Sequence, residues 1–352
     1  MNEEHDIKPS QLRFLSVCSG IEAASVAWEP IGWKAVGFSE IEPFPCAVLK
    51  HRFPNTPNHG DLTKWKSWGL EPGSIDLLVS GTPCQAFSVA GLRKGLADPR
   101  GNLALVFLGL ADSIKPKWIV WENVPGVLSS NGGRDFGSFL GALVELGYGV
   151  AYRVLDASRF GVPQRRRRVF LIGCLGDWRS AAEVLFESDC LRRDPSSRRK
   201  KGEGITSCAK CGVEPDSQKP IVIDRAAFNQ GANAQYEPHI EQTEVMDTLV
   251  SKGPHAVGHH SCAGHQHRIG DYSFLIAPLV PMAVRRLTPN ECLRLQGFPD
   301  DWTKIPWKGK PADETPDGPQ YKAAGNSMAV PCMRWIGERI AKVDAKRKAE
   351  GR

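Results

Sequence analysis

Cys84 and Glu122 are the residues whose types and settings best suit chemistry. Cys84 lies in Gly81-Thr82-Pro83-Cys84-Gln85, directly after the apolar run Ile75-Asp76-Leu77-Leu78-Val79-Ser80. Such a run reads as a strand, so the thiol falls on a loop at a strand's carboxyl end, the edge where ligands bind in an open parallel sheet. Trp118-Ile119-Val120-Trp121 leads in the same way into Glu122-Asn123-Val124, which brings a carboxyl group to that edge. An ionised thiol is a nucleophile and a carboxyl can hold or release a proton. Neighbouring strand ends carrying the two point to covalent catalysis with acid–base support.

The elements that must position them alternate from residue 11 to about 173. Strands are expected at Leu12–Val17, Ala35–Glu40, Ile75–Ser80, Trp118–Trp121, Val150–Leu155 and Val169–Gly173. Helices are expected at Ala23–Trp28, around Ala47-Val48-Leu49, at Leu103–Ile114 and over Phe136–Leu146. This rhythm implies an α/β fold with a doubly wound, mostly parallel sheet and helices on both faces. It fails after Gly173: residues 187–220 are rich in Ser, Pro, Arg and Lys, and 224–277 show no sustained period. Regular structure returns with the capping box Thr288-Pro289-Asn290-Glu291 and a helix to Gln296. A last amphipathic helix is expected from near Ser327, with Pro331 tolerated in its first turn. Met328, Cys332, Trp335, Ile336, Ile340 and Val343 share one face of it. The expected division is 1–174 and 285–345 for the main domain, 175–284 for a smaller irregular one, and 346–352 for a polar tail.

The chain has 352 residues, 41% hydrophobic and 24% charged, as a globular protein does. No apolar run approaches the ~20 residues of a membrane span, and Met-Asn-Glu-Glu-His-Asp is no signal peptide, so a cytoplasmic location is expected. The ten cysteines are read as reduced thiols, with Cys46, Cys174, Cys292 and Cys332 as packing residues. Cys208-Ala209-Lys210-Cys211 has zinc-ligand spacing, and His255, His259, His260, Cys262, His265 and His267 could complete a site; a polar loop is the competing reading. The net charge of +6 is concentrated in Arg165-Arg166-Arg167-Arg168 and between Arg192 and Lys201. Such clusters suit phosphate backbones, or are solvated surface runs.

Taken together, the motifs resemble those of the DNA (cytosine-5) methyltransferases of bacterial or phage type. In chain order they are Leu15-Ser16-Val17-Cys18-Ser19-Gly20-Ile21-Glu22, Gly81-Thr82-Pro83-Cys84-Gln85-Ala86-Phe87-Ser88 and Trp121-Glu122-Asn123-Val124. Gln164 to Phe170, Arg286 to Cys292 with Leu295 to Pro299, and Ala324-Gly325-Asn326-Ser327-Met328 follow. The resemblance implies S-adenosyl-L-methionine as methyl donor and a cytosine in duplex DNA, turned out of the helix, as acceptor. Cys84 would add to C6, Glu122 would hold or protonate N3, and Arg168 would contact the cytosine carbonyl oxygen, with Arg166 a further active-site arginine. Generic phosphate binding competes for the arginine run as a whole. Gln85, Ser88 and Gly91 to Gly101 belong to a loop expected to close over the DNA, and Arg165 is placed on the DNA as well. Glu40 would bind the ribose hydroxyls, Asp61 the adenine amino group, and Cys18, Gly20, Ile21 and Pro83 would surround the cofactor. Asn326 and Ser327 would approach its methionine end, Ser327 being equally readable as a helix N-cap. Residues 175–284 fall where the family has its target-recognition domain, expected to read bases in the major groove. A monomer is expected, within a restriction-modification system or a phage defence, with a cognate restriction endonuclease as a candidate partner.

The first loop departs from the family pattern. An aspartate, an aromatic and Gly-x-Gly are usual; here stand Ser16, Cys18 and Gly20-Ile21-Glu22. Cys18 cannot stack on adenine, and a charged Glu22 replaces the second glycine, while Gly20 still supplies the tight turn. Two alternatives follow. An RNA cytosine methyltransferase shares the core, but the substantial middle domain argues against it. A non-catalytic DNA-binding relative fits the altered loop, but not the intact Cys84, Glu122 and Arg168. A nicotinamide-dependent oxidoreductase is disfavoured by the missing Gly-x-Gly-x-x-Gly.

Overall fold

Alternating apolar side chains along short β-branched and aromatic runs build the centre of the protein. The structure, a computed structural model, describes residues 11–83, 103–186, 221–223, 240–242, 256–259 and 283–351. The main sheet contains β1 (Arg13–Val17), β2 (Lys34–Ser39), β3 (Leu77–Ser80), β4 (Trp118–Asn123), β5 (Tyr148–Asp156) and β6 (Arg167–Leu175). Their order is β2-β1-β3-β4-β6-β5. β1 to β4 pair in parallel, whereas β6 runs antiparallel to both β4 and β5. Phe14, Leu77, Val79, Trp118, Val120, Phe170 and Ile172 face one apolar cluster. Their chain neighbours Leu15, Leu78, Ile119, Trp121, Val169 and Leu171 face another. This period of two, apolar on both faces, is what a sheet covered on each side requires.

Helices cover both faces. α1 (Ala23–Trp28), α2 (Pro43–Arg52), α5 (Trp178–Leu185), α6 (Pro289–Leu295), α7 (Asp317–Asn326) and α8 (Val330–Ala349) contribute to the first cluster. α3 (Leu103–Ile114) and α4 (Arg134–Glu145) contribute to the second. The doubly wound, mostly parallel arrangement expected from the alternation is therefore the observed one.

Two helices were not expected. Asp177 caps α5 by accepting from the amides of Arg179 and Ser180, and Ala181, Val184 and Leu185 bury its inner face. That pattern lies just where the strand–helix rhythm stops. α7 contains Gly318, Pro319 and Gly325, residues that read as a loop. Its proline falls in the first turn, where no intrahelical donor is lost.

α8 begins at Val330 with Ala329 as its N-cap, while Ser327 terminates α7. The reading of Ser327 as a helix N-cap is thereby corrected. α8 closes over α1: the Trp28 indole donates to the Met333 carbonyl at 2.7 Å. A Cβ on Gly337 would come within 2.4 Å of that indole, so only glycine permits the approach. Fully buried Asp344 accepts from the Trp118 indole at 3.2 Å and pairs with Lys117 and Lys348, fixing the far end of α8 to the sheet.

β7 (Ile221–Ile223), β8 (Ile240–Gln242), β9 (Ala256–His259) and β10 (Ala283–Arg286) form a second, antiparallel sheet in the order β10-β9-β7-β8. Two of these strands fall in the stretch expected to lack periodicity, each too short to display one. β10 crosses the expected division at 284/285. Among the described residues, no helix is long and apolar enough to cross a membrane.

Candidate active site

The carboxyl ends of four parallel strands meet at one edge. β1 delivers Cys18 and Gly20, β2 delivers Glu40, β3 delivers Gly81-Thr82-Pro83, and β4 carries Glu122 near its end. Because β6 runs the other way, its beginning lies at this same edge, with Phe170 opposite Glu122 and Val169 opposite Asn123. Strand direction thus brings Arg168 to this edge, its Nε 3.2 Å from Glu122 Oε1.

Glu122 is only 8% exposed. Burial pushes its carboxyl up, the guanidinium groups of Arg166 and Arg168 pull it down, and burial wins. Arg166 is buried too, and its guanidinium is lowered to about 10, chiefly by burial. It donates to the carbonyl oxygens of Gly325 at 3.1 Å and Ser327 at 2.5 Å, while its backbone amide donates to Asp156 at 3.2 Å. The result is a carboxyl that holds its proton more firmly than an ordinary glutamate, set among fixed positive charge.

The loop leading to Cys84 is held by β4. Trp121 donates to Thr82 Oγ1 at 2.9 Å, and the Asn123 side-chain amide donates to the Thr82 carbonyl at 3.0 Å. A Cβ on Gly81 would come within 3.0 Å of Met328 Cε and 3.5 Å of Glu122 Oε2, so this backbone passes close beside the Glu122 carboxyl. Cys84, Gln85, Ser88 and Gly91 to Gly101 lie outside the described residues, as do Cys208 and Cys211. No cluster of His, Cys, Asp and Glu able to hold a metal occurs among the described residues.

These groups wall a cavity of about 820 Å³, together with Cys18, Gly20, Glu40, Asp61, Pro83 and Asn326. Glu40 Oε2 accepts from the Gly20 amide at 2.8 Å, and its Oε1 accepts from the amides of Ile41 and Glu42, each at 2.8 Å. Asp61 Oδ1 accepts from the amide and hydroxyl of Thr63, and the amide bond leads in holding the carboxyl below its ordinary range. Burial, reinforced by the Glu40 carboxylate, pushes the Cys18 thiol up to about 12, which makes it an inert neutral wall.

Two placements differ from the sequence reading. The Ile21 side chain is fully buried in the core and forms no part of the wall; its carbonyl accepts from the Trp302 indole at 2.8 Å. Ser327 lines a smaller adjoining cavity instead. Arg165 is exposed, which leaves it accessible to a partner. Ile41 was missed: it is 67% exposed yet forms part of the cavity wall. An apolar residue directly after a strand-ending acid was the available signal.

The family model for C-5 cytosine-specific DNA methylases matches residues 12–342. The chain belongs to this family. Among its relatives, a protein of Escherichia phage P1 named DNA N-6-adenine-methyltransferase is 36% identical across 96% of this chain. The chain spans only 62% of that protein's length. The type II methyltransferase M.HhaI of Haemophilus parahaemolyticus is 28% identical, with 97% of each chain covered. The crystal structure of the S. pombe Dnmt2 methyltransferase, at 19% identity, matches the fold with a TM-score of 0.56 over 95% of this chain and 98% of that one.

Methylases of this family take their methyl group from S-adenosyl-L-methionine. The residues present fit that donor. The cavity is of the size that holds a ligand of this class, its acidic groups Glu40 and Asp61 suit a cationic ligand with hydroxyl and amino donors, and Ile41 offers an apolar face.

Proposed function

We propose that this methylase transfers a methyl group to C5 of a cytosine turned out of a specific duplex DNA sequence, through a covalent bond between Cys84 and C6. The observation that carries the reading is the buried Glu122 carboxyl, 3.2 Å from Arg168 and sharing a cavity wall with Arg166, beside the anchored loop that leads into Cys84.

C5 of cytosine is a poor nucleophile. A thiolate adding to C6 moves electron density towards C5, and a proton given by Glu122 to N3 offsets the charge that this addition creates. Arg168, beside that carboxyl, would stabilise charge on the ring carbonyl. When bound, S-adenosyl-L-methionine supplies an electrophilic methyl group. The C5 proton must then leave to a base, and the electron pair released expels Cys84.

Glu40 and Asp61 would hold the donor's ribose and adenine, with Ile41 against the purine and Asn326 towards the methionine end. Residues 175–284 would read the target sequence. A monomer acting in the cytoplasm on duplex DNA, with or without a cognate endonuclease, accords with this reading.

The printed name of the phage P1 relative favours a second reading, methylation of adenine N6. An exocyclic amine carries its own lone pair and needs no thiol adduct, so Pro83-Cys84 and the Glu122–Arg168 pair would have no task there. Expression in a host lacking DNA methylation separates the two. Base-resolution mapping should find 5-methylcytosine at one short motif, and nucleoside analysis should find no N6-methyladenine; the reverse would overturn the proposal. DNA carrying 5-fluorocytosine at that motif should trap an adduct with the native chain and none with Cys84→Ala. An active protein that forms no adduct would refute thiolate addition.

A further inference from the structure

Glu22 stands in the first loop where the family pattern has glycine, and the proposed reaction leaves it without a task. Its backbone has a φ of 66°, a left-handed conformation that side chains with a Cβ adopt at a cost. The side chain is fully buried. Oε1 accepts from the Ser25 amide at 3.0 Å and the Ser25 hydroxyl at 3.2 Å, which caps α1. Oε2 has no hydrogen-bond partner among the described residues, and neither has Oε1 of Glu122. The 3.2 Å approach of Arg168 Nε to that oxygen is an ion pair without hydrogen-bond geometry.

Both carboxyls face one small cavity of about 30 Å³, walled also by Ser16, Ser19, Asn326 and Ser327. That is room for one or two waters, and the wall offers the two to four polar partners a buried water needs. A buried oxygen left unpaired is costly, and water is the usual remedy. Two such oxygens around one polar cavity define a water site.

We propose that water held in this cavity joins Glu22 to Glu122 and lets the two carboxyls share a proton, so that Glu22 is a positioning residue that keeps the catalytic glutamate protonated. The inference rests on the reading of Glu122 as the acid. The exchange is balanced: Glu22 gives its proton to the water, the water gives one of its own to the Glu122 carboxylate, and Glu22 is left as the anion. Burial favours the proton on both carboxyls, which lets one proton serve the pair. Burial raises Glu122, and Arg166 and Arg168 draw it only part of the way back, while the nearby Cys332 thiol is raised to about 12 and stays neutral. The groups acting on Glu22 are the hydroxyls of Ser16 and Ser25, the Ser25 amide and the Glu29 carboxylate. Burial, the leading influence, raises it to about 7.

The test combines a titration with a rate measurement on the full-length protein. Carboxyl NMR of protein carrying 13C-labelled glutamate, assigned with Glu22→Gln and Glu122→Gln, should show Glu22 titrating near neutrality. Its midpoint should move by about half a unit or more in Glu122→Gln. Glu22→Gln keeps an oxygen for Ser25 but cannot exchange a proton. It should lower the methylation kcat about tenfold and shift the alkaline limb of the pH–rate profile about one unit towards acid, with the KM for S-adenosyl-L-methionine within about twofold of native. A Glu22 midpoint indifferent to Glu122→Gln would overturn the inference, as would an unchanged pH–rate profile or a loss confined to that KM. Failure of the underlying reading would look different: Glu122→Gln would then methylate at the native rate, whatever the titration shows.

Discussion

The guanidinium of Arg166 donates to the carbonyl oxygen of Ser327, a residue 161 positions further along the chain. Its second bond, to the Gly325 carbonyl, lands on the same terminus of α7. The last carbonyls of a helix lack intrahelical partners and carry partial negative charge, so a buried cation there completes the helix as well as the site. One side chain thereby joins the two portions of the main domain and stands beside Glu122.

Replacing Arg166 by Met should cost about 3–5 kcal/mol of stability, because two buried carbonyls lose their charged donor. Urea unfolding measures this directly. Arg166→Lys should recover part of the loss, since an ammonium cannot reproduce the planar fork. A stability loss below about 1 kcal/mol for the Met variant would mean that this bond does not join the two portions.

Glu122→Gln should reduce the methylation rate by about 10²–10⁴-fold while leaving S-adenosyl-L-methionine binding nearly intact. In the native protein, the rate should fall as pH rises through the elevated midpoint of this carboxyl, because the acid form is the one used. Single-turnover kinetics and calorimetric binding separate the two effects. Lost binding with an unaltered chemical step would show that the residue serves the cofactor.

Glu40→Ala should weaken S-adenosyl-L-methionine binding by about tenfold or more. The carboxylate organises three backbone amides around the cavity before any ligand arrives, and hydrogen bonds to a charged group are worth about 1.5–3 kcal/mol each. Calorimetric titration with the cofactor is the measurement. Native affinity in the variant would remove Glu40 from the binding site.

Glu22→Gln should gain stability over the native protein as pH rises. The Glu22 carboxyl sits at about 7 when folded against an ordinary 4.5, so the unfolded chain releases its proton first. Its favourable contribution is complete below about 4.5 and is lost as pH climbs through about 7. The difference should be small at pH 4, widen across that window towards a ceiling of about 3 kcal/mol, and be flat above it. Denaturation midpoints at several pH values will show whether the gap opens in this direction.

Much of this arrangement was legible in the residues. The bounds of α3 were set by its continuous apolar run between polar ends, and the capping box at Thr288 marked the start of α6. Strand direction was not legible, since apolar alternation is the same whichever way a strand runs. The position of Arg168 therefore came from resemblance, and its physical cause, the antiparallel β6, from the structure. α7 was hidden because its Gly and Pro residues weigh against a helix locally, while the buried Gln320, Ala323 and Ala324 that support it make tertiary contacts. Ile21 illustrates a narrower limit: a motif locates a loop but does not tell which of its side chains turn inward.

The bond between Trp28 and the Met333 carbonyl spans 305 positions, and synthesis proceeds from the amino end at about 5–20 residues per second. Once α1 has been made, its apolar side therefore waits about 15–60 s for the helix that covers it. The nascent protein carries a sticky surface throughout that interval, which is when a chaperone would matter most. The arginine anchor on Ser327 forms equally late, so a half-made chain at the ribosome has no completed cavity.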